Sequence, residues 1–233
     1  MNRPRRDLRS PDAREGERVG EGPRIKFALH RTGTVPSHLA PARRALAAAI
    51  AQMQRAGCCP TLDDGLAAGN GALLVDGSLL VSRSGRRPGE CGPADIVCLQ
   101  DFDPAGWVGT YASDDDAHRP TSDAPLYWAS LVEAPTRFGW ARRPTAALHG
   151  HVLQTEAAAR TLKLPLSHDA TVFSTPPDRR ALLELMSRAP FPQHDAWIRR
   201  GHGFFAVGDD LDAARSRVRA LARLAHEAGL LPV

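Results

Sequence analysis

Residues 145–152 read Thr-Ala-Ala-Leu-His-Gly-His-Val, which puts two histidines one residue apart inside an apolar run. In an extended strand, side chains at i and i+2 leave the same face, about 6.6 Å apart along the chain. His149 and His151 can therefore lean together onto one cation. Zinc takes imidazole nitrogen at ~2.0–2.1 Å, so such a pair supplies its first two ligands. Gly150 between them carries no side chain, so a second element can come close on the opposite face. A third ligand must come from elsewhere. His202, in Arg-Arg-Gly-His-Gly-Phe-Phe, stands between two glycines at the tip of a predicted hairpin. Taken alone, a His-x-His pair is also compatible with ordinary packed histidines, and His202 with a turn residue bonded to backbone. The other six of the nine histidines are read as surface residues.

A second chemical group opens a predicted helix. Thr121, Ser122 and Asp123 precede Ala-Pro-Leu-Tyr-Trp. Hydroxyls and free N–H groups at a helix start form an anion site, and a carboxylate beside a metal can move a proton. The plainer reading is that Ser122 or Asp123 caps the helix, as both residue types often do.

The elements that must position these groups follow from periodicity and punctuation. Residues 41–57 read as a helix, with Leu46, Ile50 and Met53 on one face, Pro41 in the first turn and Gly57 as the stop. Residues 71–85 read as a hairpin turned by Asp76-Gly77, a favoured type I′ pair. Residues 95–102 read as a strand buried on both faces, and residues 101–120 as loop, rich in Gly, Pro and Asp. A helix is expected from about residue 124, a short apolar strand over 145–154 and helices over 155–162 and 177–189. Residues 197–210 read as strand, turn and strand. The last helix, over 211–229, has Leu211, Val218, Leu221 and Leu224 on one face and Gly229 as its stop. Helices and strands mix throughout, with several hairpin-joined strands and no repeat. This predicts an α/β layered domain with a mixed, largely antiparallel sheet.

Composition bounds the function classes. A chain of 233 residues with 42% hydrophobic and 24% charged residues is one ordinary globular domain. No apolar stretch approaches the ~20 residues that span a bilayer. Residues 1–24 are charged, lack the apolar segment of a secretory signal, and are expected to be a disordered lead-in to a domain over 25–233. The four cysteines, Cys58, Cys59, Cys91 and Cys98, form no Cys-x-x-Cys pair, so free thiols in a cytoplasmic setting are expected. The net charge of +4 lies in scattered arginines without an aromatic platform, so neither nucleic acid nor membrane is an expected partner. Only Lys26 and Lys163 are lysines, which leaves few places for Schiff-base chemistry.

With these residues in view, the sequence resembles the class II aldolase/adducin-domain family from about Pro41 to the C-terminus. Five pieces carry the resemblance, in order. AAGNGALLVDGSLLVSRSG is similar to the family's S-G-N-x-S strand and its following turn, and GPADIVCLQDFD to the segment ahead of the acidic motif. RPTSDAPLYWASL is similar to its P-S-S-E helix start, ALHGHVLQTEAAA to its H-x-H strand, and IRRGHGFFAVGDDLDAA to its N-H-G strand and following helix. The resemblance implies a three-layer α/β/α fold of the class II aldolase type. It implies His149, His151 and His202 as ligands of zinc (or Mn or Co) and Asp123 as the acid/base carboxylate. Asn70, Ser84, Gly85, Thr121 and Ser122 fall at positions that cradle a substrate phosphate. A small carbonyl substrate, an enediolate-type lyase or isomerase reaction and a homotetramer are further implications. Three neutral imidazoles leave the ion its +2 charge, which suits that chemistry independently.

The sequence also departs from the family pattern. Asp123 stands for glutamate, one C–C bond of about 1.5 Å shorter. Tyr127 stands for histidine, Ala72 for serine in the phosphate motif, and Arg83 for the proline of the turn. Arg83 offers a bidentate partner for phosphate or carboxylate, so a carboxylated or unphosphorylated substrate is an alternative to a sugar phosphate. A decarboxylase or dehydratase, a metal hydrolase and a non-catalytic adducin-like binding protein are the competing functions. The last is disfavoured by retention of the three histidines.

Overall fold

The computed structural model describes residues 25–60 and 68–231. The expectation for residues 1–24 lies outside the described residues. Eight strands form one sheet: β1 (Ala28–Gly33), β2 (Gly69–Val75), β3 (Ser78–Ser82), β4 (Ile96–Asp103), β5 (Val108–Ala112), β6 (Ala146–Gly150), β7 (Ala196–Arg199) and β8 (Gly203–Gly208). Their order is β1-β5-β4-β3-β2-β6-β8-β7. β1 and β5 run parallel, and the other pairs are antiparallel. The β2–β3 hairpin turns on Asp76 and Gly77, both at positive φ (49° and 78°), as a type I′ turn requires.

The helices are α1 (Ala40–Arg55), α2 (Ala124–Trp128), α3 (Ala134–Arg137), α4 (Glu156–Leu162), α5 (Pro176–Arg188) and α6 (Leu211–Glu227). They cover both sheet faces. Leu46 and Ile50 of α1 and Val218 and Leu221 of α6 pack with Leu148 and Phe204. On the other face Tyr127 of α2 and Leu182, Leu185 and Met186 of α5 pack with Ala147, Trp197 and Phe205. Ala147 and Leu148, like Phe204 and Phe205, divide between the two faces because strand side chains alternate. This is a three-layer α/β/α domain around a mixed, largely antiparallel sheet.

The alternation decides where the histidines go. His149 is two residues beyond Ala147 and faces the α2/α5 side. That layer brings the start of α2 and the first turn of α5 against the ends of β6 and β8.

Three expectations need correction. The segment over 101–120 is not all loop. It holds the end of β4 and all of β5, whose Val-Gly-Thr-Tyr-Ala alternation is masked by Pro104 and Gly106 before it and the acidic run after it. β1, an edge strand with little burial, has no clear period and is not expected from the sequence. On α6, Leu224 is 40% exposed, and Ala225 takes the buried position. The buried stripe steps 211, 214, 218, 221/222 and 225, so residue 224 lies about 100° off it at 3.6 residues per turn.

Candidate metal centre

His149 is the last inward-facing residue of β6. Its Cα partners are Asn70 across β2 and Phe205 across β8. Its Nδ1–H donates to the Phe204 carbonyl at 2.7 Å, which leaves Nε2 pointing away from the strand. The Phe205 ring stacks on the imidazole, with centroids 4.6 Å apart. Burial, then the neighbouring His151, holds the His149 pKa well below the usual histidine value, so its ring is neutral.

His151 lies one residue beyond the end of β6, so the same-face reasoning reaches it only through the extension of the strand. Its ring is nevertheless 4.5 Å from that of His149. His202 arrives from the β7–β8 turn, with its ring 4.7 Å from His149 and 4.9 Å from His151.

The close approach depends on glycines. A Cβ at Gly203, where φ is +144°, would collide with the Gly150 carbonyl oxygen. A Cβ at Gly150 would meet the Phe204 ring and the Cys58 carbonyl oxygen at 2.5 and 2.6 Å. The bare face expected at Gly150 is thus filled from both sides. We expect Gly203→Ala to lower stability by about 1–3 kcal/mol, the usual range for overpacking, and to displace His202. Urea denaturation checks this, and a wild-type midpoint would contradict it.

Asp123 stands at the N-cap of α2, yet its side chain makes no capping bond. It turns into the histidines instead. Its Oδ2 is 3.9 Å from Nε2 of both His149 and His151, and its Oδ1 is 3.4 Å from Nε2 of His202. One ligand atom from each of the four residues lies within 4.8 Å of the others. Burial alone would raise the Asp123 pKa, but the surrounding histidines, His202 first, hold it well below the usual carboxylate range.

This donor set fits a divalent cation. Asp123 Oδ1, His149 Nε2 and His202 Nε2 are buried and make no hydrogen bond. Buried polar atoms are ordinarily satisfied, and three unsatisfied nitrogen and oxygen atoms converging on one point match the ligand types of a metal site. For His202, burial would lower the pKa, but the flanking Asp123 and Asp178 carboxylates bring it to about 9. A positive charge is favoured at that spot.

A model of the Class II Aldolase and Adducin N-terminal domain matches residues 44–228. The chain belongs to the class II aldolase and adducin family. Solved structures share its fold. A sugar-phosphate aldolase from Thermotoga maritima is 16% identical, with a TM-score of 0.64 over 82% of this chain and 94% of its own. YgbL from Escherichia coli is 19% identical, with a TM-score of 0.57 over 84% and 92%. L-fuculose-1-phosphate aldolase from Thermus thermophilus is 19% identical, with a TM-score of 0.51 over 82% and 99%. No curated protein matches the chain in sequence.

In this class II aldolase family member, the five positions expected to cradle a phosphate divide in two. Asn70 joins the centre directly: its Nδ2 donates to Asp123 Oδ2 at 2.6 Å, and its Oδ1 accepts from the Tyr127 hydroxyl. Thr121 Oγ1 accepts from the Asp123 N–H at 3.4 Å, with buried Ser122 between them. Ser84 and Gly85 connect through main chain. Ser84 N donates to Arg119 O and Thr121 N to Ser82 O, across an Arg83–Pro120 bridge. Thr121 and Ser122 precede α2, which continues through a π-helical turn at Ala129–Glu133 into α3, so one unbroken helical run over residues 124–137 begins beside them.

Arg83 is committed elsewhere. Its Nε binds Asp95 Oδ1 at 2.5 Å, and Arg86 shares the same carboxylate at 3.3 Å. The Asp95 pKa would be raised by burial, but Arg83, the Gly92 N–H and Arg86 lower it below 3.8. Because the folded value is depressed, this stabilisation is complete above about 3.8 and is lost as pH falls through the lowered value. We expect Asp95→Asn to cost about 1–3 kcal/mol at pH 7, as for a lost charged hydrogen bond, with the gap closing toward pH 2. Equal gaps at both pH values in denaturation curves would contradict this.

Sequence reasoning marks Tyr127 as a departure but gives it no role. It is fully buried, and its hydroxyl fixes which way the Asn70 amide faces. Asp178, Arg199 and Thr171, behind His202, are missed altogether. Arg199 closes β7 beside Arg200, so only the apolar Trp197-Ile198 before it hints at burial. Nothing in the spacing points to Asp178.

Proposed function

We propose that this protein is a metal-dependent enzyme of the lyase or isomerase type. Its substrate would be a small carbonyl compound, a sugar phosphate or a keto acid. The observation that carries the reading is the convergence of His149, His151, His202 and Asp123 with three buried, unsatisfied donor atoms. A non-catalytic adducin-like role would leave that convergence without a purpose. Family membership supports the reaction class, and sugar-phosphate aldolases share the fold.

His149, His151 and His202 would hold zinc, or Mn or Co, with Asp123 beside them. Such an ion, when bound, supplies positive charge that polarises a carbonyl and steadies negative charge growing on the neighbouring carbon. The chain's own groups do the rest. Asp123 is ionised, so it enters as a base, and Oδ1 is the oxygen free of hydrogen bonds to receive the proton. Oδ2 is held by Asn70, which is itself held by Tyr127, so the carboxylate keeps one orientation. The hydroxyls of Thr121, Ser122 and Ser84 and the N–H of Gly85 are proposed to receive the substrate's anionic group. With Ala72 in place of serine and Arg83 paired to Asp95, this cradle is modest, which keeps carboxylated substrates beside phosphorylated ones.

Among the described residues no helix is long and apolar enough to cross a membrane. A cytoplasmic homotetramer is the assembly we propose, on the family's habit. Screening sugar phosphates against keto acids for metal-dependent cleavage, epimerisation or decarboxylation tests the function. Turnover that disappears with a chelator and returns with zinc supports it. A zinc-loaded protein inert toward every member of both classes would contradict it.

A further inference from the structure

Behind His202, on the side away from Asp123, lies a second buried carboxylate. Asp178 is in the first turn of α5 and wholly inaccessible. Its Oδ2 is 3.7 Å from His202 Nδ1. That is longer than a hydrogen bond, so the carboxylate faces Nδ1 without bonding it. Asp178 is itself tightly held. Arg199 Nη2 donates to Oδ1 at 2.5 Å, Thr171 Oγ1 donates to the same oxygen at 3.0 Å, and the Ser174 N–H donates to Oδ2 at 3.3 Å. Arg199 also donates to the Thr171 hydroxyl at 2.5 Å. Arg199 and Asp178 are both completely buried.

Such a pair is costly to bury and contributes little net stability compared with an apolar packing of the same volume. Its placement gives it another use. His149 has its Nδ1 covered by the Phe204 carbonyl and its Nε2 turned to Asp123. His202 has a longer-range version of this arrangement, with Asp178 3.7 Å behind Nδ1, which makes no hydrogen bond, and Asp123 before Nε2. Metal-bound imidazoles commonly have an acceptor behind the second nitrogen, which fixes the tautomer and raises ligand basicity.

We propose that Asp178, clamped by Arg199, Thr171 and Ser174, is a positioning residue that keeps the hydrogen of His202 on Nδ1 and aims Nε2 at the metal. The proposal rests on the metal reading above. Asp178 touches neither the ion nor the substrate. It acts through His202, and Arg199 offsets the charge that would otherwise stand uncompensated beside the site.

The test is zinc affinity by chelator competition, with the Co²⁺ absorption spectrum as second readout, on the full chain. Asp178→Asn should fold, as circular dichroism will show. It should bind zinc ~10–100-fold more weakly than wild type, the usual effect of losing an acceptor behind a ligating histidine, and shift the Co²⁺ bands. Thr171→Val removes one of the donors to Asp178 and is the milder variant should Asp178→Asn not fold. It should weaken zinc in the same direction by less. Wild-type affinity and an unchanged Co²⁺ spectrum in a folded Asp178→Asn, or in Thr171→Val where the first variant is unfolded, would overturn the proposal. Absence of zinc binding by wild type itself would instead overturn the metal reading.

Discussion

His149→Ala is expected to strip the centre of its metal and to abolish turnover. His149 is the most deeply placed of the three rings, held by the Phe204 carbonyl behind it and the Phe205 ring across it. Losing it removes a ligand outright, so zinc affinity should drop by more than the ~100-fold upper end for an outer partner. Turnover should fall to the uncatalysed level, because the remaining groups supply orientation but no compensating charge. The variant also leaves the Phe204 carbonyl without its donor, at a cost of about 1–3 kcal/mol. Circular dichroism must therefore accompany metal analysis. A folded His149→Ala that retains one equivalent of zinc would remove His149 from the ligand set.

Asp123→Asn separates proton transfer from metal holding. The asparagine oxygen can still accept from Asn70 Nδ2, so the local packing survives. Three imidazoles remain, and zinc should stay bound at higher free concentration than in wild type. The amide cannot take a proton. Turnover should fall by ~10²–10⁴-fold, the range ascribed to a positioned general base. Metal content and kcat measured on one preparation check both halves. Unchanged kcat would show that Asp123 moves no proton, and complete loss of zinc would show it to be chiefly a ligand.

Much of the fold is legible in the sequence because its signals are local. The α1 stripe of Leu46, Ile50 and Met53 and the Asp76-Gly77 turn each need only a short window of sequence, and each forms as expected. β1 and β5 are illegible for the opposite reason. They are short, each contains a glycine, and they pair with each other between residues some 80 positions apart. Leu224 shows the limit of periodicity: a leucine near the stripe reads as on it, while the smaller Ala225 fills the buried position.

The site divides along the same line. Spacing and flanking glycines mark His149, His151 and His202, and similarity to the family marks these three and Asp123. The structure brings all four together. Asn70, expected from the family resemblance, meets Asp123, and the β2–β6 register that puts it opposite His149 is a long-range fact. Arg83 looks free for an anion in the sequence because Asp95, twelve residues on, gives no sign of folding back onto it. Asp178 and Arg199 meet only because α5 lies against β7. Residue types reveal the chemistry of the centre, whereas its supporting groups depend on tertiary packing.

Anomalous diffraction at the zinc edge, from crystals of the zinc-loaded protein, measures the central feature directly. One peak should stand ~2.0–2.1 Å from a ring nitrogen of each of His149, His151 and His202, with the Asp123 carboxylate alongside. A zinc-loaded crystal with no peak among these rings, or with zinc bound elsewhere on the chain, would contradict the account.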